Sequence, residues 1–92
     1  MMFEKDPDAI KQYTIDWSDW LAADEEILSA DITVKSSLIL NPAGRPTTIT
    51  AKTVSFYLGG GAPIVIYDVA CKIETSAGQV EERSIQVLVL DG

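Results

Sequence analysis

Apolar residues alternate with polar ones along most of the chain, the period of half-buried strands rather than helices. In the stretch Tyr13–Trp17 the alternation sets Tyr13, Ile15 and Trp17 on one face, with Thr14 and Asp16 on the other. It breaks over Ser18–Asp24, where Ser18 or Asp19 is placed to cap a single helical turn. Such a turn brings Trp17, Trp20 and Leu21 to one side. Period two resumes with Leu28, Ala30, Ile32 and Val34 facing inward and Ser29, Asp31 and Thr33 outward. Asn41–Pro46 reads as a loop.

From Thr47 onward β-branched residues dominate, and Val54, Phe56 and Leu58 align on one face. Ile49 and Ala51 fall in the opposite phase, which predicts a bulge or an edge switch near Lys52 or Thr53. Gly59–Gly60–Gly61–Ala62–Pro63 reads as a hairpin or loop tip lying against a neighbouring backbone. Val65, Tyr67, Val69, Cys71 and Ile73 form the next inward face, with Asp68, Lys72 and Glu74 outside. Ser76–Gln79 is a hairpin turn with Gly78 in the left-handed position. Ile85, Val87 and Val89 turn inward in the last strand.

Five or six short strands at this spacing predict an all-β fold, a small antiparallel Ig-like β-sandwich over residues 13–92. Residues 1–12, polar and charged, are expected to form an N-terminal arm. Within it Pro7 biases Asp6 towards extended backbone, with a turn of helix following. A chain of 92 residues, 47% apolar, fits one domain with one core.

Charge changes the picture more than composition does. Of the net −7, all lies in Met1–Asp31, which carries nine acids against Lys5 and Lys11, while the remainder balances five acids with five bases. Nucleic acid is therefore not the expected partner, since phosphate contacts need clustered Lys and Arg. A basic protein surface is the natural complement. No run approaches the about 20 apolar residues of a membrane span, and no secretory leader pattern precedes the first strand, so synthesis in a reducing cytoplasm is expected.

Candidate chemistry is sparse. The chain has no histidine and one cysteine. Cys71 has no base beside it in sequence, falls on an inward face, and reads as a small core hydrophobe. Asp16, Asp19, Asp24, Glu25 and Glu26 do not match a cation-loop spacing, so they read as a solvated corner rather than a metal or acid–base site. The glycine run lacks the Lys-Ser/Thr of a phosphate loop. No catalytic residue, cofactor or metal is expected. Trp17 is expected in the core, whereas Trp20 is equally a core edge or an interface anchor. Tyr57, Ile64, Ile66, Leu88 and Leu90 fall in outward phases, and an apolar face of this kind suggests a subunit contact.

Three segments carry a resemblance: "KDPDAIKQYTIDWSDWL", "VSFYLGGGAP" and "ETSAGQVEERSIQVLV". Together they resemble the small tailed-bacteriophage structural proteins called fiber-tail adaptor proteins. The likeness is weakest over residues 34–52. The resemblance implies a non-enzymatic, Ig-like virion component of the tail or neck. It would link portal-proximal, tail-tube or fibre proteins, in a homo-oligomeric ring, without nucleic acid or membrane. Matching positions are Asp6, Pro7, Asp8, Trp17, Trp20, Gly78, Glu82 and Arg83. Partner contact is expected at Asp6, Pro7, Asp8, Trp20, Tyr57, Leu88 and Leu90. Structural roles are expected at Trp17, at Gly60 and Gly78 in their turns, and at Glu82 and Arg83 through cross-strand charge pairing. The rival reading is a carbohydrate- or cation-binding β-sandwich in which Trp17 and Trp20 stack on the ligand beside the carboxylates.

Overall fold

The computed structural model describes residues 2–35 and 37–90. Met1, at the start of the expected arm, and Asp91 and Gly92, at the end of the expected sandwich, lie outside them. The alternating segments become β1 (Met2–Lys5), β2 (Lys11–Asp16), β3 (Ile27–Thr33), β4 (Leu38–Leu40), β5 (Thr48–Ile49), β6 (Thr53–Gly60), β7 (Val65–Thr75) and β8 (Val80–Val89). One sheet runs β1-β8-β7-β3, and the other runs β2-β6-β4 with β5 also paired to β6. The chain crosses between the sheets from β1 to β2, from β2 to β3, from β3 to β4 and from β6 to β7. The inward faces meet in one core of Tyr13, Ile15, Trp17, Val54, Phe56, Leu58, Tyr67, Val69, Cys71, Ile73, Ile85, Val87 and Val89, joined by Ile27 and Leu38. The all-β sandwich expected from the alternation is therefore present.

Several local expectations are corrected. Residues 2–5 of the expected arm are a strand, running parallel to β8 from Met2↔Gln86 to Lys5↔Val89, so the first sheet is mixed. Period two already shows in it, with Phe3 and Lys5 turned inward while Met2 and Glu4 face out. Lys5 is only 2% exposed. Its ammonium donates to the carbonyls of Gly60 (2.7 Å) and Asp6 (2.8 Å), which satisfies the charge inside the sandwich.

The inward phase of β3 is interrupted near its start. The register shifts between Ile27 and Ser29 as β3 pairs with β7. Ile27 is buried and Leu28 is 61% exposed, because the bulge turns one residue out of phase. Near Lys52 the opposite happens: no bulge forms, and Thr50–Thr53 is a tight turn joining β5 to β6, closed by Thr50 N–H on the Thr53 carbonyl at 2.9 Å.

The glycine run is not a hairpin. It carries the chain from β6 in one sheet to β7 in the other. Its expected backbone contact is present: Gly60 (φ +67°) and Gly61 (φ +95°) lie so close to their neighbours that a Cβ at Gly60 would sit 2.7 Å from the Ser37 carbonyl oxygen. Tyr67 fastens this crossing, its hydroxyl accepting from Ala62 N–H (2.7 Å) and sharing a bond with the Ser37 hydroxyl (2.8 Å). At the other end of β7 the Ser76–Gln79 hairpin forms as expected, with Gly78 at φ +76°.

Candidate partner-binding surface

Trp17 and Trp20 part company where β2 ends. Asp16 stops the strand by accepting the Ser18 N–H on its side chain at 2.9 Å, an Asx-turn in place of the expected Ser18 or Asp19 cap. Trp20 N–H then bonds to the Trp17 carbonyl, closing a turn rather than a helix. Trp17 is 1% exposed and Trp20 57%. Their rings meet edge-on at 6.3 Å, and Arg83 of β8 lies over the Trp20 ring at 5.4 Å. The Arg83 guanidinium also donates to the Asp16 carbonyl at 3.5 Å. Arg83 therefore braces the corner by stacking, and its charge acts on Asp16 rather than on its cross-strand neighbour, which is Cys71. Glu82 does face Lys72 across the strands. With Trp17 buried, the two rings do not present a shared platform to a flat ligand.

The neighbouring carboxylates have internal work. Glu25 is 6% exposed. It accepts the Thr75 hydroxyl (2.5 Å) on one oxygen and the Ala22 N–H (3.1 Å) on the other. Those bonds, the hydroxyl's first, hold its pKa below the usual carboxylate value. Ser18, through its N–H first and its side chain second, does the same for Asp16. Inside the same turn the Lys52 ammonium donates to the carbonyls of Ala22 (2.7 Å), Glu25 (2.5 Å) and Ala23 (3.4 Å). A cation entering that ring of carbonyls would have to displace the ammonium of a lysine whose own carbonyl accepts the Trp17 N–H at 2.8 Å. Among the described residues no three of the Cys, Asp and Glu side chains come together to hold a metal ion. Cys71 is buried in the core, where desolvation pushes its thiol up to about 11, with the Trp17 side chain pulling weakly the other way.

The other expected contact residues fall in separate places. Asp6, Pro7 and Asp8 form the turn after β1, where the Asp6 side chain accepts the Asp8 N–H at 2.8 Å. Leu90 lies beside it, its N–H bonded to the Lys5 carbonyl. Ile64 (81% exposed) projects from the same end. Leu88 lies on the outer face of the first sheet, between Glu4 of β1 and Ile66 of β7. Tyr57 is on the second sheet, half-buried beneath Arg45 at 5.8 Å from its ring centroid, and shares no face with Leu88. Three loci thus replace one apolar patch: the Asp6–Asp8 end, the outer face of the first sheet, and the Trp20 corner.

Sequence distance hid the acidic face. Glu4, Asp31, Asp68, Glu74 and Glu82 all point outward from the first sheet, against Lys72. Two of the five acids come from the charge-rich first third, and three from the part that balances to zero. Folding also divides that first third, sending Asp6 and Asp8 to one end and Asp16, Asp19 and Asp24 to the other. Lys5 and Lys52 were missed as structural residues. The inward phase of Lys5 beside Phe3 was the one available signal for the former.

A model of the family described as podophage GP4 fiber-tail adaptor protein gp77 matches residues 5–88. No curated protein matches the chain.

Proposed function

The chain belongs to the podophage fiber-tail adaptor family, and we propose that it links the tail, at or near the portal-proximal neck, to the fibres by protein–protein binding, in several copies arranged as a ring. The family is one of structural adaptors, components of the virion. The observation that carries the finer reading is the outer face of the first sheet. There Ile66 and Leu88 stand in one row with Glu4, beside four further carboxylates and a single lysine. An apolar row set in negative charge suits a basic partner surface, which the field would steer into register. The Asp6–Asp8 turn with Ile64 and Leu90 at one end, and Trp20 at the other, are the proposed lateral contacts. The strand order, with β3-β7-β8 facing β2-β6, is read here as Ig-like.

Particles assembled without this chain test the link. Tails lacking fibres, restored when the chain is supplied, are the expected result; particles that keep their fibres would overturn it. Light scattering on the purified chain tests the ring: monomers that form rings only on tails fit intended assembly on a partner, while failure to bind tails in more than one copy refutes it.

A further inference from the structure

We propose that the lower edge of β8, Val80–Ile85, is a docking edge that takes an extended basic segment of a neighbouring tail protein as an added strand. This deepens the adaptor reading and rests on it. On its inner side β8 is paired with β7 along its whole length, from Val80↔Glu74 to Val89↔Val65. On its outer side, among the described residues, β1 covers only Gln86–Val89. Among the described residues no main-chain bond reaches Val80–Ile85 from that side. Such an edge presents a row of unpaired N–H and C=O groups, the template for strand addition.

Among the described residues β2 of the second sheet also has an open outer side, but the remaining edges are short or interrupted, β1 having four residues. The β3 edge is broken by its bulge, and β4 and β5 have three and two residues. Nothing comparable interrupts Val80–Ile85, which has neither Pro nor Gly and keeps continuous register. A cleft of about 230 Å³ runs beside it, between β8 and β2, lined by Thr14, Ile15, Asp16, Asp19, Arg83 and Ile85. A strand laid in line with β1 would drop alternate side chains over Ile15 and Ile85. That same side carries the carboxylates of Asp16, Asp19 and Glu81 against the one guanidinium of Arg83, and the added strand's other side chains would pass Glu82 on the outer face. A segment that mixes apolar residues with lysine or arginine complements that net negative surface. A second copy of the same edge does not, because it would set like charges opposite one another.

The probe is a synthetic peptide of alternating valine and lysine, about eight residues long, titrated into the full ¹⁵N-labelled protein, with a valine–glutamate peptide as control. The expected result is amide shifts confined to Glu81–Ile85 and the cleft, with exchange of those amides slowed by about tenfold or more. Binding should weaken in about 0.3 M salt and in the Asp16→Asn/Asp19→Asn double variant. A second variant carries a strand-forming extension upstream of Met2, long enough to continue β1 down to Val80; it should fold, with β8 amides already protected, and bind no peptide. Shifts spread over the outer face, equal binding of the glutamate peptide, or binding that survives the extension would overturn the proposal. The phage separates the two readings. If deletion strips the fibres but the extension does not, the adaptor stands and the docking edge falls; if deletion leaves the fibres, the adaptor reading falls.

Discussion

Trp17 and Trp20, three positions apart, have opposite energetics. Trp17→Ala empties a fully buried site and should cost about 3–5 kcal/mol, read as a lower urea midpoint. Trp20→Ala removes a mostly exposed ring and its stacking on Arg83, and should cost less than about 1 kcal/mol. Equal losses would mean the corner, not the core, carries Trp17's role. Tyr13 makes a less intuitive case: its hydroxyl is buried with no hydrogen-bond partner among the described residues, and burial raises its pKa. Removing an unsatisfied hydroxyl relieves a penalty, so Tyr13→Phe should leave stability unchanged or raise it; a drop in Tm would reveal a bond to that oxygen. Glu25 gives the pH dependence. Its folded pKa is depressed, so its contribution is present above the ordinary carboxylate value of 4.5 and is lost as pH falls through the lower folded value. The native protein should therefore lose Tm relative to Glu25→Gln as acid is added, the two curves converging at low pH; parallel curves would contradict this. Trp17 was readable from period two alone. Glu25 and Lys5 were not, because a buried charge is explained by its partners, and Thr75 and Gly60 lie 50 and 55 residues away.

Among the elements, the strands themselves were legible wherever alternation ran unbroken, as in β2, β7 and β8. The phase of β3 was not, because its bulge is set by pairing with β7 and no residue of Ile27–Ser29 announces it. The glycine run was legible as a tight place but not as a crossing, since nothing local says which sheet the next strand will join. Its geometry separates two glycines of like backbone. Gly60 and Gly78 both have positive φ, but only Gly60 faces a close neighbour, the Ser37 carbonyl, while nothing lies within 4 Å at Gly78. Gly78→Ala should cost about 1 kcal/mol, the left-handed penalty alone. Gly60→Ala should cost clearly more, because the Ser37 segment and the Lys5 bond to the Gly60 carbonyl must shift with it. Urea unfolding of the pair decides; equal costs would show that the crossing relaxes freely. The arm expected at residues 1–12 fails for a related reason. A four-residue strand with one buried lysine has too little apolar content to be read as a strand until its partner, β8, is known.

For the whole molecule, the sandwich and the family likeness were readable in sequence, but the distribution of charge was not. The acidic first third is divided between the two ends of the fold, and the acidic face is assembled from four different strands. Its field is a property of tertiary structure, and so is the open length of β8. Both bear on one claim, that the chain works by binding neighbouring tail proteins. Electron cryomicroscopy of the intact virion tests that claim most directly. The account predicts density for this sandwich in several copies at the junction of tail and fibres, with the acidic face of the first sheet buried against a basic neighbour. Virions without the chain at that junction, or a chain seated there with that face open to solvent, would contradict it.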